Sequence, residues 1–202
     1  MSDFWDQGYE LWHDVIDHQT QTLLRTQIDV FREAMEYGDR MQGAQPNYSD
    51  ELVTDRCWSN YSFVGFEGLA KMLTPQVSER VGLELEPSYT FMRYYYPGAT
   101  MKRHRDRPAC EISMTLTLTA QGNPWPIGIQ DLQGQEHSVA IPERSAMIYQ
   151  GPECDHWRDE YTQGTEQVQV FLHWVSAKNA QWKYDERPVL AVSPSLKRKR
   201  LT

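Results

Sequence analysis

The chain has 202 residues, enough for one core of useful size and most economically one domain. Its 20 Lys and Arg against 28 Asp and Glu leave a net charge of −8 at pH 7, and a broadly acidic surface repels phosphate, so nucleic acid is not an expected partner. No apolar run reaches transmembrane length, and the stretch from Met1 to Asp6 is acidic where a signal peptide would be basic, so a cytoplasmic location without membrane contact is expected.

Helices are expected in about the first 83 residues. Leu11, Trp12, Val15 and Ile16 suggest a short one. From Thr20 to Tyr37, Leu24, Ile28, Phe31 and Met35 recur at intervals of four, three and four, an amphipathic pattern that ends near Gly38. Residues 42–50 contain Gly43, Pro46 and Asn47 and read as a loop. Phe66, Leu69, Met72 and Leu73 suggest another helix, with Pro75 opening a further turn that carries Val77 and Val81.

The pattern then changes to period two. Arg93 to Gly98 reads as a strand entering a turn. From Glu111 to Thr119, Ile112, Met114, Leu116 and Leu118 alternate with Ser113, Thr115, Thr117 and Thr119, as in a strand buried on one face. Gly122 to Pro124 is a turn signal, Asp131 to Gly134 a hairpin, Ser145 to Tyr149 a strand and Gln167 to Val175 a final long strand. The layout is α+β, with a barrel over about 84–178 and a basic tail, Lys197 to Arg200, within a solvated end at about 190–202. Cys57, Cys110 and Cys154 are odd in number and widely spaced, which fits reduced thiols and no zinc motif.

The chemistry is concentrated in His104-Arg105-Asp106 and in His156, fifty residues after the aspartate. Two imidazoles and one carboxylate can occupy one face of a six-coordinate ferrous ion and leave positions for an organic chelate and dioxygen. His173, on the final strand, is the rival third ligand; His156 is preferred for its spacing from Asp106 and for the strand-like Ala146 to Tyr149 before it. His13, His18 and His137 lie in helical or turn contexts and are expected to be surface or structural.

The run Arg93-Tyr94-x-x-Pro97-Gly98 through His104-x-Asp106, the second histidine and the last strand resembles the iron(II) and 2-oxoglutarate-dependent dioxygenases, in particular the prolyl-4-hydroxylase-like branch. The resemblance covers roughly residues 85 to 178. It implies a double-stranded β-helix, the jelly-roll or cupin-like barrel, buttressed by the amino-terminal helices. It also implies His104, Asp106 and His156 as ligands to Fe(II), with 2-oxoglutarate and dioxygen as cosubstrates and ascorbate as an accessory reductant. The implied outcome is hydroxylation of an unactivated C–H bond in an amino-acid, peptide or small-molecule substrate. Because Asp106 is kept, halogenation is disfavoured.

One part of the resemblance is missing. The family holds the distal carboxylate of 2-oxoglutarate with an Arg or Lys about ten residues after the second histidine, where this chain has Thr165-Glu166-Gln167-Val168. A guanidinium suits a carboxylate, so Arg158 is the first substitute, followed by Arg103, Arg107 and Arg93. Tyr94, where the resemblance places this role, and Tyr96 are expected to donate to the same group. Trp125, Trp157, Tyr95 and Tyr149 are candidates for a substrate cleft. A jelly-roll module that binds metal without turnover is the competing reading, and a monomer or homodimer is expected in either case.

Overall fold

The computed structural model describes residues 4–42, 53 and 56–192. The basic tail and all but the first residue of the expected loop at 42–50 therefore lie outside the described residues. After a single helical turn, α1 (Phe4–Gln7), come β1 (Tyr9–Trp12) and the long helix α2 (His18–Gln42). Next follow β2 (Cys57–Tyr61), α3 (Val64–Val81), β3 (Leu85–Tyr95) and β4 (Met101–His104). The rest is β5 (Ile112–Gly122), β6 (Ile127–Gln130), β7 (Glu136–Val139), β8 (Ala146–Tyr149), β9 (His156–Arg158), β10 (Gly164–Ser176) and an irregular segment, Ala177–Glu186.

The strands form two antiparallel sheets, one in the order β1-β8-β5-β10-β3-β2 and one in the order β4-β9-β6-β7. They share an inner cluster that includes Tyr95, Met101, Ile127, Ile129, Met147 and Tyr149, so they face one another as a double-stranded β-helix. A second cluster lies on the outer side of the larger sheet. There Ile112, Met114, Leu116 and Leu118 of β5 and Val168, Val170 and Leu172 of β10 pack against Leu24 and Ile28 of α2 and Phe66, Leu73 and Val77 of α3. Each such apolar side chain, fully buried, contributes about 1.5–3 kcal/mol.

Covering both faces of one sheet changes the meaning of its alternation. The apolar residues of β5 face the helices, and Ser113, Thr115 and Thr117, expected at a solvent face, are fully buried as the lining of the barrel. Gln167 and Gln169 of β10 lie on the same interior, where the Gln169 amide donates to the Thr115 hydroxyl at 2.8 Å and the Gln167 carbonyl oxygen accepts the Trp125 N–H at 2.7 Å.

Four local readings change in the folded chain. Tyr9–Trp12 is a strand, because β8 offers an open edge and its backbone groups need partners; Leu11 pairs with Met147 and Trp12 with Ala146. Helix α2 starts at His18, ahead of the expected Thr20, because the Asp17 carboxylate accepts the Thr20 N–H at 2.7 Å and so caps the first turn; it then continues through Gly38 to Gln42. An internal glycine costs a helix only about 1 kcal/mol and does not have to stop it. Helix α3 likewise runs unbroken past Pro75 and ends at Gly82 in the left-handed conformation, φ 67°. Strand β2, which adds an edge beside β3, carried no recognised strand signal.

Candidate metal centre and its cavity

His104, Asp106 and His156 come together at one end of the barrel, each offering a ligand atom within 4.8 Å of the others. The Asp106 Oδ1 atom lies 3.8 Å from Nε2 of His104 and 3.7 Å from Nε2 of His156. A bulge makes this possible. Met101 pairs with Arg158 and His104 with His156, so β4 takes three steps where β9 takes two. Met101 is buried, Lys102 and Arg103 are both exposed, and His104 turns back inward, whereas strict alternation would have pointed it out. The exposed Lys102 also supplies the carbonyl that accepts the His104 Nδ1–H at 2.7 Å.

His156 is held in the same way, with Nδ1 at 3.0 Å from the Cys154 carbonyl. A carbonyl only accepts, so both rings carry their proton on Nδ1 and present an Nε2 lone pair to the centre. Burial lowers the pKa of His156 and keeps it neutral, as a ligand must be. Burial works against ionisation of Asp106, but His156 and His173, then the Ser113 hydroxyl and His104, outweigh it and hold this carboxyl below its ordinary range. Two imidazoles and a carboxylate form a donor set suited to a divalent first-row ion such as Fe(II).

The surrounding shell contains residues that motif reading missed. Ser113 donates to Asp106 Oδ2 at 2.9 Å and lies 2.9 Å from Nδ1 of His173. The Gly151 carbonyl accepts the Asp106 N–H at 3.0 Å, and a Cβ on Gly151 would collide with the Cys110 carbonyl oxygen and stand 2.8 Å from Asp106 Oδ2. Only glycine fits there. The alternation of β5 places Ser113 on the interior face once the outer face is assigned to the helices; Gly151 has no signal beyond its place before Pro152.

A cavity of about 210 Å³ opens from the triad. Its walls include Tyr89, Phe91, Tyr149 and Phe171, and the two arginines Arg93 and Arg107 line it. Arg93, 8% exposed, projects from β3 over the rings of Phe91 and Phe171. Arg107 sits at the rim over Tyr89 and pairs with Asp185 at 2.8 Å. Asp185 is itself buried and also accepts from Tyr61.

The other sequence-derived candidates fall elsewhere. Arg158 shares the inward face of β9 with His156, but its guanidinium lies over the Trp125 ring, donates to the Trp125 carbonyl and does not line the cavity. Among the described residues its Nε and Nη2 have no hydrogen-bond partner, and burial lowers its pKa to about 10. Tyr94 and Tyr96 do not face the barrel interior. Tyr94 points to α2, where Arg25 donates to its hydroxyl, and the Arg32 guanidinium approaches the Tyr96 hydroxyl at 3.4 Å. The intervening Tyr95 faces inward, as the period of two requires.

Glu166, at the usual cation position, also turns outward, to Arg25 at 2.9 Å, and does not oppose a dicarboxylate in the barrel. Arg103 pairs outside with Glu136 and Asp155, and Arg105 with Asp155 at 2.7 Å. Of the cleft aromatics, Tyr149 lines the cavity; Trp157 is only half-buried and covers Gly128, and Trp125 and Tyr95 belong to the inner cluster. His137 pairs with Asp131 at 2.7 Å beside the hairpin, and no disulfide joins the three cysteines.

Burial pushes the His173 pKa down from 6.5 to about 4. Between these values the unfolded chain binds a proton that the folded chain does not, so stability is fully present above pH 6.5 and is lost as pH falls toward 4. A shift of this size corresponds to about 3 kcal/mol. Melting curves of the metal-free protein from pH 7 to 4 are expected to fall accordingly, and less steeply in His173→Phe.

No protein-family model matches the sequence, and no curated protein matches it. Solved structures match the fold. A prolyl-4-hydroxylase from Pseudomonas putida superposes with a TM-score of 0.62 at 15% identity, over 86% of this chain and 95% of that one. HygX from Streptomyces hygroscopicus, solved with nickel and 2-oxoglutarate bound, gives 0.64 at 9% identity over 96% and 91%. A prolyl hydroxylase from Trichoplax adhaerens, in complex with a hypoxia inducible factor peptide fragment, gives 0.60 at 10% identity over 88% and 87%. The chain has the fold of these structures, and among its described residues no helix is long and apolar enough to cross a membrane.

Proposed function

We propose that this chain is an Fe(II)- and 2-oxoglutarate-dependent dioxygenase that hydroxylates a C–H bond of an amino-acid, peptide or small-molecule substrate. The observation that carries the reading is the convergence of two Nε2 lone pairs and one carboxylate oxygen on a cavity that is also lined by arginine. When bound, the iron and its cosubstrates, 2-oxoglutarate and dioxygen, supply the oxidising power, with ascorbate as an accessory reductant.

His104, Asp106 and His156 hold the metal in this reading, and their carbonyl-fixed tautomers keep both imidazoles oriented without protons on the donor atoms. Arg93 takes the role first assigned to Arg158, because it is Arg93 that shares the cavity with the triad. The aromatic pair Phe91 and Phe171 keeps water from its guanidinium, which strengthens a charge-assisted bond to a carboxylate. Arg107 remains at the rim, fixed by Asp185, where it meets the incoming substrate. The phenyl and phenol walls exclude water around the reacting C–H bond.

Anaerobic titration with Fe(II) and then 2-oxoglutarate tests this function. A weak visible charge-transfer band that appears with 2-oxoglutarate supports it; bound iron with no such band leaves a metal-binding barrel without turnover. In the same titration, Arg93→Gln is expected to weaken 2-oxoglutarate binding roughly ten- to hundred-fold, the equivalent of about 1.5–3 kcal/mol for a hydrogen bond to a charged group. Arg158→Met is expected to leave it unchanged. The reverse pattern would return the anchor to Arg158.

A further inference from the structure

The final histidine of the interior, His173, lies on β10 and is buried in protein, yet it is not one of the three residues that converge through Nε2 and Oδ1. Its hydrogen bond leads back to them. A carboxylate accepts only, so Ser113 donates its single proton to Asp106 Oδ2 at 2.9 Å, and the Ser113 oxygen then accepts from Nδ1 of His173, also at 2.9 Å. Tyr89 packs on the imidazole, with ring centroids 4.5 Å apart, and prevents it from swinging out.

We infer that Ser113 and His173 are positioning residues that occupy Oδ2 of Asp106 and leave Oδ1 alone to face the two Nε2 atoms. This rests on reading the triad as the metal site. A carboxylate with both oxygens available can chelate through both and take a coordination position that a cosubstrate needs. Here Oδ2 is committed to the relay, while Oδ1 stands 3.7 and 3.8 Å from the imidazole nitrogens. The order His173, Ser113, Asp106 makes donation from Nδ1 the essential property of position 173.

Calorimetric titration of the metal-free full chain with Co(II) alone, compared across variants, tests the relay. Ser113→Ala and His173→Phe are expected to bind Co(II) about ten- to hundred-fold more weakly, the usual loss when the partner of a metal ligand is removed. Ser113→Thr restores the hydroxyl and His173→Asn restores an N–H donor near the position of Nδ1, so both are expected to bind like the parent. If His173→Phe fails to fold, the comparison of Ser113→Ala with Ser113→Thr and of His173→Asn with His173→Asp decides.

Unchanged affinity in folded Ser113→Ala and His173→Phe overturns the inference. A thiolate-to-cobalt band lost in Cys110→Ser also overturns it, because the ion would then sit in the alternative set of Asp106, Cys110 and His173. Weaker Co(II) binding in the variants, without any 2-oxoglutarate band in the parent, would leave the relay standing and remove the proposed function. A parent with the band and an unaffected His173→Phe would do the opposite.

Discussion

His104→Ala and Asp106→Ala are each expected to lose metal binding, and with it the proposed turnover, while keeping the parental fold. A structural zinc site contributes roughly 10–16 kcal/mol through four ligands, so one ligand of such a set is worth about 2.5–4 kcal/mol, roughly seventy-fold or more in affinity. The cost to folding is small by comparison. His104 lies on a short four-residue strand, and its ring donates to the Lys102 carbonyl only two residues away, so its removal leaves no distant partner stranded. Stability in His104→Ala is expected to stay within about 1 kcal/mol, near the ordinary range for substitutions outside the core, whereas Asp106→Ala also leaves the buried Ser113 hydroxyl without its carboxylate and is expected to cost about 1–3 kcal/mol. Metal content measured beside far-ultraviolet circular dichroism checks both parts. Iron retained in His156→Ala but lost in His173→Ala would show that the third ligand is His173.

The largest effect on stability is expected at Glu67. Its carboxylate lies 2.6 Å from Nη2 of Arg187, and the two side chains are 1% and 0% exposed. The same carboxylate accepts the Ala191 N–H, and Arg187 reaches the Ser88 carbonyl at 3.3 Å and the Val192 carbonyl at 3.1 Å. Removing one partner leaves a charge buried without compensation, so Glu67→Ala and Arg187→Met should each cost about 3–5 kcal/mol. For a chain of this size that lowers the melting temperature by roughly 6–20 °C. Glu67→Leu combined with Arg187→Met should cost less than either single change, and an additive double variant would show that the pair is not coupled.

The pair also controls the rim of the cavity. Just before Arg187, Tyr184, Asp185 and Glu186 have φ of 54°, 53° and 63°, three successive non-glycine residues in the left-handed region. Each costs roughly 1–2 kcal/mol, and the neighbouring ion pair holds them in place. Asp185, set by this turn, fixes Arg107 and Tyr61. Variants that weaken the clamp are therefore expected to raise the substrate requirement as well as to melt early.

The long strands and the His-x-Asp motif were legible because hydrophobic period and motif spacing are local properties. Which face of a strand is inside was not. The Ser and Thr residues of β5 resemble a wet surface until helices α2 and α3 claim the other side. The same reversal moved Tyr94 out of the barrel and Tyr95 into it. Arg93 and Arg158 are both interior, and no period distinguishes them; their directions follow from Phe91 and Phe171 in one case and Trp125 in the other. The rim residues Tyr61 and Asp185 come from β2 and the carboxy-terminal segment, distant in sequence from the motif.

The extra residue in β4 makes the direction of His104 a matter of backbone geometry as much as of residue identity. Deleting either Lys102 or Arg103 would leave two steps in β4 against the two of β9, so Met101 and His104 would share the inward face on a regular strand and every ligand would keep its direction. A homologue shortened by one position there would still direct its first histidine inward, by plain alternation in place of the bulge. An insertion in the Asp131 to Gly134 turn, beyond the ends of β6 and β7, would likewise leave the centre in place.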